Sequence, residues 1–227
     1  MAETNQLAPL NGKPYTSYNR YFLIPFVIWM VLGGIALLSF DRLELFRAFN
    51  THYSTLGDEV MIYVTRMGEG VFVTIVMLLL LARTSLRNAW FVVVAVFSNA
   101  IPNLIAQALK SGFNAPRPLN YFEEAPWIHA LPEWPRFMER SFPSGHTTCA
   151  FCLYCLLAVL LPPKYKIFGL AFFFLALAVG YSRIYLAAHF FVDVYVGSII
   201  GTVLTLVIVA LMNRHQGRFF KNAPENV

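Results

Sequence analysis

Apolar positions fall into six runs along the chain, separated by charged, polar or proline-rich segments. The first, Tyr21–Phe40, carries no charged residue. As a helix rising about 1.5 Å per residue it is long enough for a hydrocarbon core of roughly 30 Å. It is too long for the apolar part of a signal peptide and has no clear small-residue cleavage site, so a retained helix is predicted. The second run, Gly70–Ala82, is short unless its helix begins near Met61. That extension would place Arg66 and Glu69 three residues apart, as a pair that neutralises itself near the interface. Leu43–Thr65 is expected to include a helix lying along the membrane surface. Ala89–Leu109 forms a third span with a break at Pro102, because proline removes a helical hydrogen bond. The polar segment Lys110–Phe142 follows, with prolines at 116, 118, 126, 132 and 135. Three further runs complete the pattern: Thr147–Leu161, Ile167–Tyr181 and Phe190–Met212. Pro162 and Pro163 separate the first two of these.

The pattern predicts an all-α bundle of six transmembrane helices with a long extracytoplasmic loop between helices 3 and 4. Residues 21–212 form one membrane domain, flanked by tails at 1–20 and 213–227, with no internal repeat. Composition agrees. Of 227 residues, 58% are hydrophobic and 13% charged, with a mean hydropathy of +0.58. Soluble domains carry roughly 45–50% apolar and about 25% charged residues. A disordered chain is therefore excluded and a soluble enzyme disfavoured.

The net charge of +5 does not point to nucleic acid, because the basic residues sort by membrane side. With six spans, both termini share a side with the second and fourth loops. That side holds nine lysines and arginines against two acids, a net +7, and the other holds eight against ten, a net −2. The nine lie in the shorter loops, where positive charge marks the cytoplasm. Both termini are thus expected in the cytoplasm of a bacterial inner membrane, with the long loop on the periplasmic side. The only cysteines, Cys149, Cys152 and Cys155, sit in one apolar run. An odd number without other soft ligands nearby reads as helix packing rather than a disulfide or metal site.

Three polar clusters fall on the outward side. Lys110 and Arg117 flank the end of the third helix, Ser144, Gly145 and His146 open the fourth, and Arg183, His189 and Asp193 link the fifth and sixth. Lys110, Arg117 and Arg183 supply cations and many N–H donors, suited to a phosphate or a phosphoryl transition state. A helix start at Ser144–His146 offers free backbone N–H groups, and Gly145 permits close approach. His189 and Asp193, four residues apart, share a helix face. A carboxylate on Nδ1–H leaves Nε2 with a free lone pair, a nucleophile, and His146 is then available as general acid. Each cluster has a plainer reading alone: a satisfied polar pair or half of a metal site, headgroup anchors, an N-cap turn. The cations disfavour a divalent ion, and ionisable groups converging from three helix ends in a membrane bundle are costly and usually functional.

The spacings K-x6-RP, PSGH and SR-x5-H-x3-D, in this order from Lys110 to Asp193, resemble the three signatures of the type 2 phosphatidic acid phosphatase (PAP2) superfamily. That family includes lipid phosphate phosphatases, undecaprenyl-pyrophosphate phosphatases, glucose-6-phosphatase and vanadium haloperoxidases. The resemblance implies that His189 attacks phosphorus and forms a phosphohistidine, oriented by Asp193. His146 protonates the leaving oxygen and later activates water. Lys110, Arg117, Ser144, Gly145 and Arg183 cradle the phosphoryl oxygens, and neither metal nor cofactor is required.

The partner expected is a phosphorylated membrane lipid. Phosphatidic acid, phosphatidylglycerol phosphate, prenyl pyrophosphate and lipid A all remain open, with a soluble sugar phosphate less favoured. Tyr121, Trp127, Trp134 and Phe137 suit either an interfacial belt or a lid, and Glu123 and Glu124 read as solvated loop charges. A non-catalytic lipid-binding relative would be expected to lose a histidine or arginine of the set. An anion transporter would carry broken helices or charges at mid-membrane depth.

Overall fold

The computed structural model describes residues 18–82 and 89–215, and these are helical with no strand. In chain order the helices are α1 (Arg20–Ser39), α2 (Arg42–Asn50), α3 (Thr55–Arg66), α4 (Gly70–Ala82), α5 (Ala89–Phe113), α6 (Pro118–Tyr121), α7 (Gly145–Leu160), α8 (Gly169–Tyr185) and α9 (Phe191–Arg214). A 3-10 turn, Pro163–Phe168, leads into α8. Lys13, Arg83, Arg87, Arg218 and Lys221, on which much of the expected cytoplasmic charge rests, lie outside the described residues, as does most of each tail.

Among the described residues four helical stretches are long and apolar enough to cross a membrane: α1, the stretch from α5 through α6, the 3-10 turn with α8, and α9. A fifth arises if α3 and α4, bent by 59° at their break, count as one. The remaining apolar run is α7, shorter at 16 residues. It is apolar around most of its circumference and nearly all of it is buried, as expected of a helix enclosed by others. α5, α8 and α9 pack around it, with α4 touching one side. α1 instead turns large side chains outward, Leu38 to 90% exposure, where lipid is the natural neighbour.

Two expectations fail for physical reasons. Pro102 does not break its helix, for α5 continues to Phe113. Proline leaves the carbonyl four residues earlier without a donor, and Thr205 Oγ1 of α9 donates to that oxygen, on Ser98, at 3.2 Å. Arg66 and Glu69 form no ion pair among the described residues, because the helix ends between them. A Cβ on Gly68 would lie 2.7 Å from the His146 carbonyl oxygen and 2.6 Å from Val179, so this break packs directly on α7 and α8. Arg66 lies over the ring of Tyr63. The segment 43–65, where a surface helix was expected, holds most of α2 and of α3. Asp41 and Glu44 form a reciprocal cap at the start of α2.

Inside a bilayer, helices gain little from leaving lipid for protein, and close packing holds them together. α9 meets that need with Gly197 and Gly201, one turn apart. A Cβ on Gly197 would stand 2.8 Å from Ser144 O, and one on Gly201 2.7 Å from Thr148 O. Backbone contact along α7 and α9 thus sets how near their first turns approach. Cys152 and Cys155 are buried, and Cys149 donates to Asn103 Oδ1 at 2.9 Å, in keeping with a packing role.

Gly201→Ala should force α7 and α9 apart and cost about 1–3 kcal/mol, lowering the thermal unfolding midpoint in detergent. Gly70→Ala, where an added Cβ meets nothing within 4 Å, should leave the midpoint near wild type. Equal midpoints for the two variants would contradict this packing.

Candidate active site

The eight residues singled out by sequence converge where α5, α7, α8 and α9 end or begin. Asp193, in the first turn of α9, is 2% exposed. Its Oδ2 accepts the backbone N–H of Phe190 at 2.9 Å and the hydroxyl of Ser141, and it lies 3.3 Å from His189 Nδ1. Ser141 Oγ stands 3.5 Å from the same nitrogen. Three donors on one oxygen favour the carboxylate. A carboxylate facing Nδ1 sets the tautomer with the proton there, leaving Nε2 as a bare lone pair.

His189 lies in the turn 186–190, before α9 begins. Ala187 takes a left-handed φ of 50°, and the N–H groups of Ala188 and His189 both donate to Arg183 O, at 2.9 and 3.1 Å. The histidine is 1% exposed. Burial holds its pKa well below the ordinary 6.5, and the charges of Arg117, Arg183 and Lys110 push the same way. His189 is therefore a neutral imidazole at neutral pH, and its contact with Asp193 is a hydrogen bond to a neutral ring.

Three cations surround this pair. Successive carbonyls of the segment before Ser141 hold two of them. Met138 O accepts Arg117 N–H at 2.8 Å, Glu139 O accepts Arg117 Nε at 2.8 Å, and Arg140 O accepts Lys110 Nζ at 2.8 Å. Arg117 Nη1 also donates to Ala188 O at 3.1 Å. Arg183, in the last turn of α8, is 2% exposed. Its Nη1 donates to Thr65 Oγ1 of α3 at 2.6 Å, while its buried Nε has no partner among the described residues. An N–H left without a partner at such a site is available to an anion.

Ser144 caps α7, accepting from Thr147 N at 3.4 Å and Thr147 Oγ1 at 2.9 Å, and its own N–H donates to Asp193 O at 3.0 Å. This bond ties the start of α7 to that of α9. A Cβ on Gly145 would lie 3.7 Å from Lys110 Cε, so the helix start faces that lysine. His146, half-buried in the first turn, has Arg183, His189, Arg117 and Lys110 within charge–charge range.

Sequence reasoning missed Ser141, Thr65 and the carbonyls of 138–140. Ser141 is 52 positions from Asp193 and Thr65 is 118 from Arg183, so no local spacing marks either. Farther out, Tyr121 and Trp127 join Phe46, Phe122 and Phe190 in one aromatic cluster, with Arg42 over Tyr121 and Arg47 over Trp127. Phe137 lies beneath Arg117, and Glu124 pairs with Arg136 at 3.0 Å. His129 and the Tyr185 hydroxyl both bond Asp58 Oδ1 at 2.7 Å, tying the long segment to α3 and the end of α8. Among the described residues no group of three or more His, Cys, Asp or Glu side chains could hold a metal ion.

Comparison with known proteins adds the following. The profile of the PAP2 superfamily matches residues 89–216. A lipid A 1-phosphatase of Rhizobium johnstonii is 29% identical over 141 residues, covering 62% of this chain and 55% of that protein. The chain thus spans about half the length of that relative. An undecaprenyl-diphosphatase of Sulfolobus acidocaldarius is 25% identical over 191 residues, 84% of this chain and 87% of that one. The crystal structure of Aquifex aeolicus LpxE superposes with a TM-score of 0.64 at 27% identity, covering 77% of this chain and 98% of that one.

Nitrogen NMR of histidine-labelled protein, assigned with His189→Ala, should show His189 as the neutral Nδ1–H tautomer at pH 6.5, charging only well below it. A doubly protonated His189 at pH 6.5 would contradict the site described here.

Proposed function

The chain belongs to the PAP2 superfamily, and we propose that it is an integral-membrane lipid phosphate phosphohydrolase working through a phosphohistidine without a metal. The observation that carries this reading is a buried His189 whose Nδ1 lies 3.3 Å from Asp193 Oδ2, in a site that also holds Lys110, Arg117 and Arg183.

In the proposed reaction the phosphoryl group lies among those three cations and the N–H groups of Ser144 and Gly145, with Arg183 Nε bonding one oxygen. His189 Nε2 attacks phosphorus in line with the leaving oxygen. The new P–N bond forms as the P–O bond breaks, and His146 protonates the leaving group. His146 then takes a proton from water as that water attacks the phosphohistidine, releasing inorganic phosphate and restoring His189. Stabilising the charge that grows on phosphoryl oxygens is the largest task, and fixed cations in a largely buried site perform it well. A protein that only bound lipid, or an anion filter, would have no use for the relay Ser141–Asp193–His189.

Six crossings follow if the bent pair α3–α4 and the short α7 each span, giving one membrane domain over residues 21–212 with tails at 1–20 and 213–227. Both termini then lie in the cytoplasm of a bacterial inner membrane, and the segment 110–142 and the site face outward. At that boundary the headgroup of a phosphorylated lipid reaches His189 while its chains stay in the bilayer. The relatives named for lipid A and undecaprenyl diphosphate are in keeping with such a substrate.

Phosphate release by the purified protein, with chelator present, tests the reading across phosphatidic acid, phosphatidylglycerol phosphate, prenyl diphosphate, lipid A and glucose 6-phosphate. Release from a lipid, lost in His189→Ala and unaffected by chelator, is expected. Asp193→Asn, which permits the wrong tautomer, should lower kcat by about a hundredfold or more. Wild-type turnover in His189→Ala would sink the assignment.

A further inference from the structure

Two contacts on the site come from a part of the fold that supplies none of the eight candidate residues. α3 ends at Arg66 and α4 starts at Gly70. Thr65, in the last turn of α3, is fully buried and accepts from Arg183 Nη1 at 2.6 Å. Three residues on, a Cβ added to Gly68 would stand 2.7 Å from His146 O and 3.1 Å from His146 Cβ. Gly68 N donates to Thr65 O at 3.0 Å, so both contacts belong to one hydrogen-bonded turn. About two turns before Thr65, on the same face of α3, Asp58 Oδ1 accepts the Tyr185 hydroxyl at 2.7 Å. The last turn of α8 is thus held to α3 at two points.

The consequence for Arg183 follows from the shape of its head. A guanidinium is planar, and its five N–H donors point in fixed directions. No carboxylate lies within ion-pair distance of Arg183 among the described residues, so no ion pair sets that plane. Holding Nη1 on Thr65 Oγ1 does set it, and with it the direction of the Nε–H, which has no partner among the described residues. Valine has nearly the shape of threonine, and a buried hydroxyl costs free energy unless it is hydrogen-bonded. The branch at Cβ also restricts χ1, so the acceptor is itself held in place.

Resting on the phosphohydrolase reading above, we infer that Thr65 is a positioning residue of the reaction. It touches no substrate. By fixing the Arg183 guanidinium it aims Nε at a phosphoryl oxygen, and that bond strengthens as charge grows on the oxygen in the transition state. A guanidinium free to turn would keep its charge in the site and lose its aim.

Orthovanadate, which gathers five oxygens about vanadium as phosphorus does in the transition state, is the probe. Its Kd is measured by calorimetry on full-length protein in detergent, where an inactive fraction changes the stoichiometry and not the Kd. Thr65→Val should raise the Kd about tenfold, the scale of one charge-assisted hydrogen bond, and lower kcat on a lipid phosphate. Thr65→Ser keeps the hydroxyl and should restore most of the affinity. In Arg183→Gln, adding Thr65→Val should change the Kd no further, because the two residues act as one unit. Should Thr65→Val fail to fold, Thr65→Ala carries the same measurements. A wild-type Kd in Thr65→Val, whatever its unfolding midpoint, would make Thr65 a structural acceptor alone and overturn the inference. The same tenfold rise on the Arg183→Gln background would also overturn it, since the effect would not pass through Arg183. In both cases the phosphohydrolase reading stands. Wild-type protein that neither binds orthovanadate nor releases phosphate from a lipid would overturn both.

Discussion

Asp193 sets a buried negative charge beside Lys110 and Arg117, and the rest of the site is arranged around it. Charges withdrawn from water are costly unless paired or hydrogen-bonded. Here Asp193 acts on Lys110 and Arg117 and Glu69 on Arg183, and the carbonyls of Glu139, Arg140 and Ala188 with Thr65 Oγ1 supply much of what the cations need. Arg183 Nε remains without a partner among the described residues. Positive charge and an unused donor in one buried site suit an anion. Burial first, and then the charges of Arg117, Arg183 and Lys110, hold the pKa of His189 well below 6.5, so the neutral ring keeps a lone pair on Nε2.

The membrane fold serves this arrangement through backbone contact. Gly197 and Gly201 bring α9 against α7 closely enough for Ser144 N to reach Asp193 O. This joins the start of α7 to the helix start that carries the carboxylate. The break between α3 and α4 presses Gly68 against His146 and places Thr65 on Arg183. Neither contact requires an apolar driving force. Both rely on small residues and satisfied polar groups, which is how helices associate in lipid.

Much of this was legible in the sequence, because apolar runs and turn residues are local signals. The first and last spans, expected at Tyr21–Phe40 and Phe190–Met212, are helices Arg20–Ser39 and Phe191–Arg214. Pro102 misled because the compensating donor, Thr205, lies 107 positions away from Ser98. Arg66 and Glu69 misled because Gly68, required by packing on α7, interrupts the helix between them. That the eight candidate residues would come together was legible since each cluster carries its own spacing. Ser141 and the rail 138–140 were not, since a backbone carbonyl aimed at a lysine leaves no trace in residue type.

The central claim, that His189 is the nucleophile, is open to a single direct observation. Full-length protein is mixed with a lipid phosphate, quenched in base within milliseconds to seconds, and digested for mass spectrometry under conditions that spare phosphoramidates. The account predicts a phosphoryl group on His189, increased in His146→Ala, where breakdown by water is slowed, and missing from His189→Ala. Phosphate released at the normal rate with no adduct on His189 at any time, or an adduct on another residue, would contradict it.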